Sequence, residues 1–269
     1  MVSVVLPTYN EAPTIGEFLR AVIEAAVFFD QPYEILILDD NSPDGTAAVI
    51  EQEFAGVDAV CVVRRTSARG LGFSVREGVE RSRGDIVVIM DADFNHDPRV
   101  VPYMVRLLDV FDLVVGSRFA PNGGMPEEYR HFGSFGVNLV LRVVLRTQIQ
   151  DNLSGFLAIR RECLDKLPFD RIFWGYGDFC FRLLFFALRV PLKIIEMPVV
   201  YGRRRGGSSK TSLGKTMARY LFEIVRLRVN YWQDPTPPTL PLFFQYDWPP
   251  APPRPGGGGG QDVSEPRVE

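Results

Sequence analysis

Side chains that build zinc sites and redox centres are scarce in this chain: 269 residues carry three cysteines and two histidines. Cys61, Cys163 and Cys180 are far apart, odd in number and form no CxxC pair. They therefore predict reduced, mostly buried thiols of a cytosolic protein, not a disulfide framework or a thiolate-bound metal. Also missing is an apolar run of about 18 residues, the length needed to span a bilayer, so any membrane contact is expected to be peripheral. The chain opens directly on the apolar segment Val2–Leu6, which predicts no signal peptide. Nor is there an excess of basic charge. Thirty Lys and Arg against 33 Asp and Glu give a net charge of -3, which argues against a whole-surface affinity for nucleic acid, and no nucleic-acid motif occurs. What is present is 46% hydrophobic residues, enough for one substantial core.

β-Branched apolar runs alternate with amphipathic stretches. Strands are expected at 2–6, 34–38, 59–63, 85–90 and 112–116, with helices at 12–28, 45–54, 70–82 and 100–108 between them. This βαβ order predicts an α/β fold: a Rossmann-like, mostly parallel sheet flanked by helices, with ligands at the C-terminal ends of the strands. Candidate functional residues fall at those ends: Pro7-Thr8-Tyr9-Asn10-Glu11, Asp39-Asp40, Asp91-Ala92-Asp93 and Ser117-Arg118. Further on, a loop at 121–125 leads to a helix at 132–145, with Arg130 and Ser134 at its leading portion. A strand at 152–159, a helix at 173–188 and a strand at 192–201 follow. The basic, glycine-rich run 203–210 suits a loop that closes over phosphate, although alone it also reads as a solvated charged loop. The expected division is a catalytic domain at 1–212, an amphipathic helix at 213–233 and a Pro/Gly-rich tail at 234–269. That tail can form neither ladders nor a packed core, which predicts disorder.

The Asp91-Ala92-Asp93 triplet is the most informative feature. A buried strand that delivers two carboxylates into a cleft places like charges side by side, and a divalent cation shared with a diphosphate relieves their repulsion. The bland alternative is a chance turn after a strand. All-oxygen ligation fits Mg²⁺ or Mn²⁺, while a single imidazole, His96, defines no zinc site and reads as structural.

Val4-Val5-Leu6-Pro7-Thr8-Tyr9-Asn10-Glu11, Leu38-Asp39-Asp40-Asn41-Ser42-Pro43-Asp44-Gly45-Thr46, Arg69-Gly70-Leu71-Gly72 and Met90-Asp91-Ala92-Asp93-Phe94-Asn95-His96 resemble, in order and spacing, inverting family 2 glycosyltransferases of the GT-A fold. The nearest subgroup is the dolichol-phosphate mannose synthases, and the likeness runs over about residues 2–215, through Gly116-Ser117-Arg118, Asn122-Gly123-Gly124, Asp151–Phe156 and Arg204–Lys210. The resemblance implies that Pro7, Tyr9, Glu11, Asp39, Asp40, Gly70 and Ala92 hold the donor nucleotide. It implies that Asp91 and Asp93 organise metal and diphosphate, with Asn95, at a position of Gln or Ser in relatives, as third ligand. Arg118, Arg130 and Ser134 match positions that bind acceptor phosphate, and Arg204, Ser209 and Lys210 match the loop that closes on the donor.

The acceptor turns on whether a general base is present. A phosphomonoester, with a second pKa of about 6, is already ionised and needs none, whereas a hydroxyl needs a positioned carboxylate. Arg182 stands where the lipid-phosphate subgroup has an acid, and Asp178 resembles the base of hydroxyl-glycosylating relatives. Asp178 reads equally as a helix N-terminal charge paired with Arg182 at i+4. The leading expectation is transfer of mannose from GDP-mannose to a polyprenyl phosphate at the cytoplasmic membrane face. The alternatives are transfer, from a UDP-hexose or GDP-mannose, to a hydroxyl with Asp178 as base, or a non-catalytic nucleotide-sugar-binding subunit. The cations and aromatics of the 213–232 helix suit an anionic membrane surface, although such a helix also packs on its own domain.

Overall fold

The computed structural model describes residues 1–126, 128–202 and 213–231, and of 128–130 and 213–215 it describes the backbone alone. The predicted tail, and with it the expectation of disorder, lies outside the described residues. Seven strands form one sheet: β1 (Val2–Thr8), β2 (Tyr33–Asp39), β3 (Val60–Arg64), β4 (Ile86–Ile89), β5 (Leu113–Ser117), β6 (Leu157–Arg160) and β7 (Ile194–Pro198), in the order β3-β2-β1-β4-β6-β5-β7. The β1, β2, β3 and β4 pairings are parallel, as is β5 with β7. β6 runs antiparallel to both neighbours, with Ile86 opposite Arg160 and Leu113 opposite Ile159. A strand buried on both faces shows the same apolar run in either direction, so its polarity could not be read from the pattern.

Nine α-helices are formed by the described residues: α1 (Ile15–Ala26), α2 (Thr46–Glu53), α3 (Leu71–Arg81), α4 (Val101–Leu107), α5 (Glu128–Leu145), α6 (Arg161–Leu164), α7 (Phe169–Ile172), α8 (Asp178–Ala187) and α9 (Leu213–Asn230). Strand alternation splits the core into two layers. Val4, Leu6, Ile35, Ile37, Val88 and Met90 pack with Phe18, Leu19 and Met104 of α1 and α4. Val5, Leu36, Leu38, Val87 and Ile89 pack with Val75, Leu141, Phe181, Ile224 and Leu227 of α3, α5, α8 and α9. α9 is thus part of the domain's second layer, packed on α5, and no described helix is long and apolar enough to cross a membrane.

Three expectations shift. The strand expected at 152–159 shortens to β6, because Asn152 and Ser154 turn their side chains onto the Ile149 and Gly116 carbonyls, each at 2.6 Å. The helix expected at 173–188 starts only at Asp178, since Gly175 takes a φ of +75° that interrupts helical geometry. Cys163 and Cys180 are buried as expected, but Cys61 is exposed, because β3 is the edge of the sheet.

α3 approaches the sheet closely at Gly78, where a Cβ would clash with the Val5 side chain and stand 2.7 Å from Leu38 Cδ2. Both neighbours are fully buried, so neither can withdraw. Gly78→Val is expected to destabilise the fold by about 2–3 kcal/mol through overpacking, read as a lowered midpoint in urea unfolding.

Candidate active site

At the C-terminal ends of β1 and β2, Thr8 lies beside Asp39 in register. The loops that follow are stitched together by short polar side chains. The Ser42 hydroxyl donates to Asp39 Oδ1 at 2.5 Å and accepts the Asn10 N–H at 2.9 Å. Asp44 accepts the Thr46 N–H and the Ala12 N–H at 3.0 Å each, and Thr46 Oγ1 accepts the Glu11 N–H at 2.9 Å. Burial opposes the charge on Asp44, but these donors outweigh it and hold the carboxyl below its ordinary value. Pro7, Tyr9 and Glu11 are thereby fixed against the Asp39-Asp40 end. Asp40 accepts Arg65 Nη1 at 2.5 Å and the Gly70 N–H at 2.9 Å, while Arg65, 2% exposed, also holds Glu77 at 2.9 Å. Arg69 donates to the Asp40 carbonyl at 2.9 Å and lies 5.5 Å from the Tyr9 ring centroid. Gly70 has a φ of +129°, a conformation that side-chain-bearing residues avoid.

β4 delivers Asp91-Ala92-Asp93 to the same edge. Ala92 is buried, Asp93 is 5% exposed, and the Asp91 side chain retains 38% exposure. The Asn95 N–H and side-chain amide donate to the two Asp93 oxygens at 3.0 and 3.1 Å, around a Phe94 φ of +64°. His96 is structural here: it stacks on Phe156 at 4.7 Å, meets Tyr201 edge-on at 4.7 Å, and its Nδ1 accepts the Asp91 N–H at 2.9 Å. With Nδ1 accepting, the neutral ring carries its proton on Nε2. Among the described residues no group of three or more His, Cys, Asp or Glu is arranged to hold a metal. The two carboxylates and the Asn95 amide oxygen are hard donors, a chemistry that suits a hard cation whose remaining ligands come from a diphosphate.

Arg118, at the end of β5, faces inward. Its Nε and Nη2 each lie 2.7 Å from Asp151, its N–H donates to Asp151 Oδ2 at 3.0 Å, and its guanidinium sits 4.8 Å from the Tyr201 ring. Burial works against the Arg118 charge, but Asp151 more than compensates and raises its pKa. Behind it, buried Glu196 accepts the Gln150 and Asp151 N–H groups at 2.8 and 2.9 Å, while desolvation lifts its pKa above the ordinary value. Ser134, half-buried in α5, accepts from Asn138 through its carbonyl at 3.0 Å, and the Arg130 backbone lies in the same helix. Arg204, Ser209 and Lys210 lie outside the described residues. The chain that leads to them leaves from Gly202, whose N–H donates to the Asn95 carbonyl at 2.8 Å.

Asp178 takes the helix N-terminal arrangement. It is fully buried, pairs with Arg182 at 2.5 Å and with Arg219 of α9, and accepts the Tyr176 N–H at 2.9 Å. Arg182, also fully buried, lies 3.8 Å from the Trp174 ring and 3.4 Å from Glu223. Sequence reasoning missed Arg65, Asp151, Arg219 and Glu223 as partners. The Asp44-Gly45-Thr46 stitch did have a sequence signal, an Asp two residues before a helix-starting Thr. The ion-pair partners are separated by 25 to 41 residues and had none.

Comparison with known proteins bears on the family and the fold. A family model described as "Glycosyl transferase family 2" matches residues 3–168. A dolichol-phosphate mannosyltransferase of Pyrococcus furiosus is 36% identical over 84% of this chain, which spans 63% of that relative's length. An undecaprenyl-phosphate mannosyltransferase of Micrococcus luteus is 34% identical over 78% of this chain and 87% of its own. Among solved structures, glucosyl-3-phosphoglycerate synthase of Mycobacterium tuberculosis, in complex with Mn²⁺, UDP and its product, aligns with a TM-score of 0.59 at 26% identity over 85% of this chain and 79% of that one. The chain belongs to glycosyl transferase family 2 and has its GT-A fold.

Proposed function

We propose that this enzyme transfers mannose from GDP-mannose to a polyprenyl phosphate, with inversion and with Mg²⁺ or Mn²⁺. The observation that carries the reading is the gathering of Asp39-Asp40, Asp91-Asp93 and Arg118 at one edge of the sheet. The names of the polyprenyl-type relatives support the acceptor, and the Mn²⁺ and UDP of the solved synthase support the donor class.

Pro7, Tyr9, Glu11, Asp39, Asp40, Gly70 and Ala92 hold the nucleoside and its phosphates in this reading. Asp91, Asp93 and Asn95 would hold the cation, which neutralises charge on the departing diphosphate when bound. His96 keeps the Asp91 backbone in place, and Arg204, Ser209 and Lys210 bring cationic and hydroxyl groups to the donor. Arg118, its charge shared with Asp151, lies on the acceptor side of the site in this reading, where Arg130 and Ser134 would join it in holding the acceptor phosphate. The phosphate oxygen attacks the anomeric carbon from the face opposite the diphosphate. An ionised phosphate requires no proton removal, and Asp178, with a guanidinium on each oxygen, is poorly placed to serve as the base that a hydroxyl would need.

The lipid acceptor calls for a membrane surface. α5 exposes Phe132, Phe135, Leu139 and Val143 at helical spacing, and α9 exposes Leu221, Phe222, Val225 and Val229. Exposed Arg142 and Arg146 flank the α5 stripe. Apolar area with nearby arginines suits the headgroup boundary of an anionic leaflet, where each basic residue contributes about 1 kcal/mol.

Three outcomes are expected. Radiolabelled GDP-mannose, with UDP-glucose in parallel, should give label in the lipid extract with polyprenyl phosphate and Mn²⁺ and none with EDTA. Asp91→Asn should lower turnover by about 100-fold or more, whereas unchanged turnover would remove the cation site from Asp91. In flotation, the protein should rise with phosphatidylglycerol-containing vesicles and not with phosphatidylcholine alone, and Phe135→Asp combined with Val225→Asp should abolish the association.

A further inference from the structure

The seam between α9 and the Gly70 loop is lined by glycine backbone, and the turn 174–177 lies inside it. On the donor side, the Gly72 N–H donates to the Gly175 carbonyl at 3.1 Å. A Cβ at Gly70 would stand 2.9 Å from that carbonyl oxygen, and one at Gly72 would stand 2.5 Å from the Trp174 carbonyl oxygen. On the α9 side, a Cβ at Gly177 would stand 2.7 Å from the Tyr220 hydroxyl, and one at Gly175 would clash with the Arg219 guanidinium. Gly70 and Gly72 have no room for a side chain against the backbone of the turn, so a shift of the turn is felt directly on the donor side, while on the other side the Arg219 and Tyr220 side chains reach it from α9. Its position is set by Asp178, which accepts the Tyr176 N–H at 2.9 Å and is itself held by Arg182 and Arg219.

We propose that Arg219 and Asp178 are positioning residues for the nucleotide-sugar donor. By fixing the 174–177 turn against Gly70–Gly72, they set the backbone of the donor loop without touching the donor. The inference rests on the assignment of the Gly70 loop to the donor. It makes α9 contribute to donor affinity through its inner face, independently of what its outer face meets. Loss of the Arg219 contact loosens the loop in the free enzyme, and the cost of ordering it is then met equally in the ground-state and transition-state complexes, so uniform binding falls while the chemical step is spared.

Arg219→Gln is the informative variant, because its side chain is 41% exposed and Arg182 still neutralises Asp178 once it is gone. Binding of GDP, with UDP in parallel, is measured by calorimetry on the full chain, alongside steady-state transfer and thermal unfolding. Arg219→Gln should raise the nucleotide Kd and the donor KM about tenfold with kcat within about twofold, and Arg219→Lys should recover most of the loss. A lowered Tm with unchanged nucleotide affinity would reduce Arg219 to a structural role and overturn the proposal. A fall in kcat at constant KM would overturn it as well, by placing the residue in the chemical step. If the wild-type chain bound neither nucleotide, the donor reading itself would fail, an outcome distinct from equal binding by wild type and variant.

Discussion

Holding carboxylates together at one edge of a parallel sheet is the constraint on which this structure depends. Like charges at low exposure repel, and each one taken from water without a partner costs several kcal/mol. The fold answers with hydroxyl caps or with arginines. Asp39 is capped by the Ser42 hydroxyl and N–H, Asp40 by Arg65, Asp151 by Arg118, and Asp178 by Arg182 with Arg219. Asp91 is treated otherwise: its backbone is fixed by His96 while its carboxylate keeps 38% exposure toward the cleft. Of these five acids, Asp91 keeps the most exposed side chain.

That distribution explains what could be read from the chain and what could not. The β1, β2 and β4 ends were legible because each is a short apolar run followed directly by polar residues, and parallel order then brings the three to one edge. The DxD loop was legible for the same reason. The polarity of β6 was not, since both of its faces are buried and direction leaves no mark on composition. Gly175 was the signal that the helix at 173–188 is interrupted, but a lone glycine inside an apolar aromatic stretch does not say whether it breaks a helix or is tolerated within it. The role of Arg118 depended on a partner 33 residues away, beyond the reach of any local pattern, whereas the pairing of Asp178 with Arg182 was legible at i+4 and only Arg219, 41 residues away, was not.

The two faces of α9 show why its sequence admits both a surface reading and a packed one. Its outer face carries Leu221, Phe222, Val225 and Val229, as the interfacial-helix reading requires. Its inner face carries Ile224 and Leu227 into the core and brings Arg219 and Glu223 to the buried charges of α8. A helix bound only at a membrane would have no reason to place an acid at 2% exposure, as Glu223 is.

Arg182 gives that inner face its reason. The guanidinium is fully buried, and its donors reach the Ile172 carbonyl at 2.9 Å, the Trp174 carbonyl and Asp178, with the Trp174 ring 3.8 Å away. Hydrogen bonds of this number offset much of the desolvation cost of a buried cation, and the carboxylates must do the rest. Asp178 alone is shared with Arg219, so a further anion is needed, and Glu223 provides it at 3.4 Å while being held by Arg226 at 2.6 Å. In this chain the basic side chain and the α9 residues that answer it form one unit, and α9 cannot leave its seat without exposing Arg182 to an unbalanced interior.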